Sequence, residues 1–178
     1  MYFFWKFVFW LGLWLSILVA DFIFPDIVFN KTFKVVSFCL GILFVIYGLI
    51  LNAVAGKTLK KFAHFDIKKG IQKPDKMLDF GIFSCMRHPA MFGSIFFSVG
   101  LALLGGKLAT ILWSGWVSFI ALYFITAVEE RETLEQFGSE YCEFLKNRKP
   151  FSFSLSCLLN GIRFLKSELP KDGKTSKD

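Results

Sequence analysis

Apolar runs alternate with charged segments along this chain. Residues 2–24 are apolar apart from Lys6, Ser16 and Asp21. Residues 35–55, 89–104 and 108–128 carry no charged side chain. A helix rising about 1.5 Å per residue crosses a hydrocarbon core of roughly 30 Å in some twenty residues, so each run reads as a membrane helix. A lysine before the first run also fits a signal peptide. The length of that run, and the lack of a small-x-small cleavage site after it, favour a first span, which Pro25-Asp26 breaks. Run 89–104 is short for a full crossing and would be completed by Phe80–Met86 folded back against protein. Gly105-Gly106-Lys107 is a tight turn, which makes 89–128 a helical hairpin. The expected fold class is all-α: a polytopic membrane helical protein with about four transmembrane helices and a cytoplasmic C-terminal helical extension.

The polar segments differ from one another. Residues 56–79 hold seven lysines, with Gly70 and Pro74 as breakers, and read as an aqueous loop. After Val128 come Glu129, Glu130, Arg131, Glu132 and Glu135 without a turn signal. Leu134, Phe137, Tyr141 and Leu145 follow at helical spacing, so an amphipathic helix continues the last span, interrupted at Gly138 and ended by Pro150. Residues 155–165, apolar apart from Arg163 and a few small polar positions, suit a helix on the membrane surface. A single membrane domain, 1–178, is expected: two spans in 1–55, a lysine-rich and site-bearing loop in 56–88, the hairpin 89–128, cytoplasmic or interfacial helices in 129–165 and a polar tail in 166–178, disordered over 170–178.

Composition sharpens this. The chain is 54% hydrophobic with 24 Phe and 5 Trp, a balance rare in a soluble domain. Its formal charge of +7 falls between the apolar runs, which fits anionic headgroups and the positive-inside rule rather than nucleic acid. Of 21 Lys and Arg, 17 lie in 56–79, at Arg87 or in 129–178, whereas Lys31, Lys34 and Lys107 fall on the other side. Both termini and the site-bearing loops are therefore expected to face the cytoplasm. Cys39, Cys85, Cys142 and Cys157 show no metal-ligand spacing, and neither a disulfide framework nor a metal site is expected.

Two charged constellations stand at membrane exits. Arg87-His88-Pro89 opens the third run. Proline suits the first turn of a helix, so Arg87 and His88 lie just outside it, near its free amides. Glu129-Glu130 closes the fourth run, where the helix end is itself partly negative and acids need a partner. An antiparallel hairpin brings the two together. Such a cluster is either a salt bridge tying the hairpin or a site for a small zwitterion that needs both signs of charge.

Gly81-Ile82-Phe83, Arg87-His88-Pro89, Glu129-Glu130 and Phe137-Gly138-x-x-Tyr141, in this order and spacing, resemble the isoprenylcysteine carboxyl methyltransferases and the similar phospholipid methyltransferases. The likeness covers about residues 68–150. It implies an integral-membrane enzyme that uses S-adenosylmethionine without a Rossmann domain, in keeping with the absence of a GxGxxG motif after a strand. It implies cofactor contacts from Met77, Leu78, Gly81, Phe83, His88, Pro89, Ala90, Met91 and Glu129, catalytic roles for Arg87 and Glu130, and support from Tyr141 and Arg148. The implied acceptor is lipophilic, a lipid or lipid-like molecule reached from the bilayer, with Phe92, Phe96, Phe97 and Trp113 available as apolar lining. Phe83 and Met91 stand where many members carry tyrosine. Ile125 stands where the eukaryotic carboxyl enzymes carry a substrate-linked arginine, a departure that bears on a prenylcysteine carboxylate as substrate and leaves the cofactor positions intact; the implied activity is methyl transfer like that of the isoprenylcysteine O-methyltransferases, with phospholipid N-methylation of the phosphatidylethanolamine type as the alternative. A nicotinamide-dependent membrane reductase and a non-enzymatic scaffold are the competing classes.

Overall fold

The computed structural model describes residues 2–25, 31–64 and 74–168, with the side chains of residues 1–6 and of Ile125 left aside. Expectations for Lys68, Lys69, Gly70, Lys73, the Ile125 side chain and the tail 170–178 lie outside the described residues. Within them the chain is helical, with no strand: α1 (Tyr2–Ile23), α2 (Lys31–Phe62), a 3₁₀ turn (Gly81–Ser84), α3 (Pro89–Gly105), α4 (Leu108–Phe137), α5 (Ser139–Asn147) and α6 (Leu155–Glu168). By length and composition α2 and α4 are apolar enough to cross a membrane, and α1 and α3 provide shorter apolar helices.

Helix α2 runs to Phe62, beyond the expected boundary at residue 55. Lysine is a good helix former, and Lys60 and Lys61 sit in the last turn, where their charge meets the negative end of the helix. The chief partner of α3 is α2 rather than α4, its neighbour in the expected hairpin. Glycines decide this. A Cβ on Gly48 would lie 2.5 Å from the Gly93 carbonyl oxygen, and one on Gly100 would lie 2.8 Å from the Val45 nitrogen. The Gly41/Gly48 and Gly93/Gly100 pairs, each seven residues apart, let the two backbones touch, the contact small residues permit between membrane helices.

Helix α1 lies against α3 and α4. Trp14 Nε1 donates to Ser98 Oγ at 3.0 Å. At the far end Lys107 Nζ donates to the carbonyls of Asp21 and Phe24, and Thr110 Oγ1 donates to Asp21 Oδ1 at 3.2 Å. The opposite ends of α2 and α4, with the start of α3, gather around the second constellation of charges. Outward faces of α2 and α4 stay apolar and exposed, as at Phe38, Leu43, Leu49, Leu112, Trp116 and Phe119, which suits lipid contact.

The segment before α3 folds back on protein as expected. Ile82 and Met86 are fully buried, each contributing about 1.5–3 kcal/mol by leaving water. They are covered by α6. Its Cys157, Leu158 and Leu165 are buried in the same cluster as Ile82 and Met86, while Phe164 packs on Phe62 and Phe80 at 5.4 and 5.1 Å. Of its large apolar side chains, Leu155 and Leu159 are exposed. The expectation of no disulfide is also corrected: Cys85 and Cys157 are bonded, with Cα atoms 6.1 Å apart. They are 72 residues apart in sequence, and only the docking of α6 on the 3₁₀ turn makes them neighbours. Cys39 and Cys142 are free.

Candidate functional site

Pro89 occupies the first turn of α3, and Arg87 and His88 are the non-helical residues that lead into it. Their amides pair with the segment after α5: Arg87 N–H donates to the Lys149 carbonyl at 3.1 Å and His88 N–H to that of Pro150 at 3.2 Å. The backbone of the pair is thus clasped from behind and their side chains face the end of α4.

There the four charged residues meet. Arg87 Nη2 donates to Glu130 Oε1 at 2.7 Å, and Arg87 Nη1 donates to the Leu145 carbonyl at 3.0 Å. His88 is 93% buried and lies between two acids, with Nδ1 3.3 Å from Glu129 Oε2 and Nε2 3.2 Å from Glu130 Oε1. A neutral imidazole has one N–H and would turn a lone pair toward one carboxylate; only the doubly protonated ring satisfies both. Burial alone would lower the His88 pKa, but the hydrogen bonds and charges of Glu129 and Glu130 outweigh it and the net shift is upward. Hydrogen bonding to His88, against some burial and helped by the Arg87 charge, holds the Glu130 carboxyl below its usual range. Tyr141 beneath them is pushed up to about 12, first by burial and then by the Glu130 charge.

A cavity of about 530 Å³ opens beside this cluster. Of the residues nominated from sequence, Met77, Leu78, Phe83, Arg87, His88, Pro89, Ala90, Met91, Glu129 and Tyr141 line it. Met77 and Leu78 reach it because the preceding loop is pinched at its base. His64 Nδ1 pairs with Asp75 Oδ2 at 2.7 Å, Asp75 N–H donates to the Ala63 carbonyl, and Gln136 Nε2 donates to the Pro74 carbonyl at 2.6 Å.

Gly81, Glu130 and Arg148 do not line the cavity. Gly81 adopts φ of +59°, where glycine is favoured, and a Cβ there would press on the Phe164 ring at 3.0 Å; its place is the turn beneath α6. Glu130 lies behind His88 as the partner that holds Arg87 and the ring. Arg148 Nη1 reaches only its neighbour's carbonyl at 3.4 Å. The expected apolar lining is corrected as well. Phe92 and Phe96 stack with Phe151 and Phe153, Phe97 packs on Trp14, and Trp113 faces outward. The apolar wall comes instead from Phe7, Trp10 and Trp14 of α1, which sequence reasoning had treated only as a span. Asn52 and Ser94 were also missed. A lone asparagine in an otherwise apolar run was the available signal, since a polar side chain at membrane depth is costly without a use.

The family model described as phospholipid methyltransferase matches residues 36–140, which include α3, the site cluster and most of the cavity wall. The chain belongs to the phospholipid methyltransferase family. Among curated proteins, protein-S-isoprenylcysteine O-methyltransferase of Saccharomyces cerevisiae (strain ATCC 204508 / S288c) is 29% identical over 140 residues, 75% of this chain and 56% of that protein. The chain thus spans little more than half the length of that relative. No solved structure matches it.

Proposed function

We propose that this protein transfers a methyl group from S-adenosylmethionine to a lipophilic acceptor at the cytoplasmic face of a membrane that α1 to α4 cross four times, with both termini on the cytoplasmic side. The cavity carries the reading: one end is charged and open to the water side, the other is walled by Phe7, Trp10 and Trp14 of a membrane helix. A water-soluble donor and a lipid-soluble acceptor need a site of that kind.

The residues present suit the cofactor. It is a zwitterion with an added sulfonium charge and a flat base. Glu129 offers a carboxylate held in place by His88, the 77–78 segment offers backbone groups, and Phe83, Phe137 and Phe144 offer apolar faces. When bound, S-adenosylmethionine would supply a methyl carbon already activated by its positive sulfur. The protein's share is therefore positioning and exclusion of water, and alignment of two reactants is worth roughly 7–11 kcal/mol of barrier. Glu130 and Arg87 keep the imidazolium and Glu129 in register, because Glu130 Oε1 is shared between Arg87 Nη2 and His88 Nε2; Arg87 also lines the cavity. The yeast relative's name specifies a protein-S-isoprenylcysteine methylated on oxygen and the family description a phospholipid; both are lipophilic.

Calorimetric titration of the purified protein tests the reading. Saturable binding of S-adenosylmethionine and none of NADPH is expected, together with transfer of labelled methyl into the lipid fraction of membranes. Binding of NADPH alone would identify a reductase, and binding of neither would leave no enzyme of either kind.

A further inference from the structure

The Cys85–Cys157 bridge lies outside the cavity yet ties down the segment that supplies part of its wall. Cys85 closes the 3₁₀ turn, two residues after Phe83 and two before Arg87, and both of those line the cavity. Cys157 stands in the first turn of α6. The stretch that leads from Lys149 to Cys157 runs back along the site. The Lys149 and Pro150 carbonyls accept from the Arg87 and His88 amides, and Phe151 stacks on Phe92 at 5.4 Å. Residues 85–88 and 149–157 thus form one closed clasp, fastened at one end by two backbone hydrogen bonds and at the other by the disulfide. Arg87 in turn holds Glu130, and Glu130 shares His88 with Glu129.

The two sulfurs are unequal. Cys157 is buried under α6, whereas Cys85 is half-buried beside exposed Ser84. A thiolate arriving from outside meets Cys85. The opened form is also accommodated. The Ile82 carbonyl oxygen lies 3.5 Å from Cys85 Sγ and 3.8 Å from Cys157 Sγ, so each freed thiol has an acceptor. Leu158 and Leu165 keep α6 in the cluster of Ile82 and Met86 whether or not the sulfurs are joined. On a cytoplasmic face a disulfide meets the reducing thiol pool, where such bonds are transient and serve as sensors or catalysts.

We infer that Cys85–Cys157 is a thiol–disulfide exchange site that sets the affinity of the neighbouring cavity for S-adenosylmethionine. This rests on the methyltransferase reading and its cytoplasmic placement, and deepens it by naming the regulation of that site. The co-reactant is a thiol, from glutathione or from a protein dithiol. Its thiolate bonds to Cys85 Sγ, the S–S bond breaks, and Cys157 Sγ keeps the electron pair and takes a proton. A second thiolate attacks the incoming sulfur of that mixed disulfide, and Cys85 leaves with the electron pair and is protonated. The protein gains two electrons and two protons, and the two thiols become one disulfide. The bridged form binds the cofactor more tightly, because the fastened clasp holds Arg87 and His88 in register.

The test uses the full chain in detergent, equilibrated in glutathione buffers of graded reduced-to-oxidised ratio, with dithiothreitol as the dithiol probe. Alkylation read by mass spectrometry gives the bridged fraction, and calorimetry gives the affinity for S-adenosylmethionine. The bridge should open as the buffer becomes reducing, the affinity should fall about tenfold in step, and reoxidation should restore both. Cys85→Ser/Cys157→Ser should bind like the opened form at every ratio. Cys39→Ser/Cys142→Ser should respond like the unsubstituted protein. Opening by dithiothreitol and not by glutathione supports the inference with a protein dithiol as the reductant. In a protein that binds S-adenosylmethionine, a bridge that stays closed in both reagents, or one that opens with the affinity unchanged, is a structural cross-link and overturns the inference alone. Absence of S-adenosylmethionine binding at every ratio overturns the methyltransferase reading and the inference with it. If either double variant fails to fold, the titration of the unsubstituted protein decides.

Discussion

Arg87 and Glu130 are joined at 2.7 Å, although one precedes α3 and the other lies in the C-terminal part of α4. The pair fixes the start of α3 against α4, and with it the place of His88 between Glu130 and Glu129. The two adjacent acids therefore have separate tasks. Glu130 holds the framework, and Glu129 faces the cavity.

Glu129→Gln takes one of the two acids from His88 but leaves the Arg87–Glu130 pair, so it should lower unliganded stability less than Glu130→Gln does, and it should shrink stabilisation by S-adenosylmethionine. Loss of a charged hydrogen bond to the ligand costs about 1.5–3 kcal/mol, roughly tenfold to over a hundredfold in affinity, and binding linkage transmits this to the midpoint. His88→Ala should shrink the same stabilisation. Undiminished cofactor stabilisation in both variants would remove these residues from the site.

Glu130→Gln should act the other way. It takes a charge from Arg87, whose side chain is 11% exposed, and should lower unliganded stability by about 1–3 kcal/mol. A midpoint equal to that of the unsubstituted protein would show that the pair is not a framework element.

The pH dependence follows from the two shifts. His88 is raised on folding, so its contribution is complete below its ordinary value of 6.5 and fades as pH rises through the higher folded value. Glu130 is lowered, so its contribution is complete above its ordinary value of 4.5 and fades as pH falls through the lower folded value. Unliganded stability should therefore hold between about 4.5 and 6.5 and decline on both sides. His88→Gln should flatten the alkaline decline. Melting curves across pH for both proteins provide the check, and identical alkaline limbs would contradict the charge placed on His88.

Gly93→Ala should destabilise by about 1–3 kcal/mol, because its methyl meets backbone at 2.7 Å and α2 must move. Gly115→Ala is the control. Nothing lies within 4 Å of a Cβ there, and the substitution should stabilise by about 0.5–1 kcal/mol through helix propensity. Chemical denaturation in detergent distinguishes the two.

Alkylation under denaturing conditions should modify Cys39 and Cys142 without reductant, and Cys85 and Cys157 only after reduction. Mass spectrometry reads the count. Labelling of all four cysteines without reductant would exclude the bridge.

Much of this molecule was legible along the chain. Apolar runs separated by lysine-rich segments specify membrane helices, because water and lipid sort side chains by local composition alone. Pro89 and Gly138 mark helix ends because their backbone preferences are local, and Gly138 indeed sits at φ of +58° between α4 and α5. The meeting of Arg87 and His88 with Glu129 and Glu130 also followed, since two helices joined by a tight turn return to the same face. Other features depended on how the helices packed. The glycines of α2 and α3 were visible, but their facing one another depends on the rotation of each helix about its axis, which sequence spacing does not specify. Docking of α6 on the 3₁₀ turn put its inner face into the core and brought Cys157 to Cys85. The same packing placed α1 along the cavity and turned Asn52 toward it. Those contacts join residues dozens of positions apart, and they exist only because close-packed helices must fill one another's gaps.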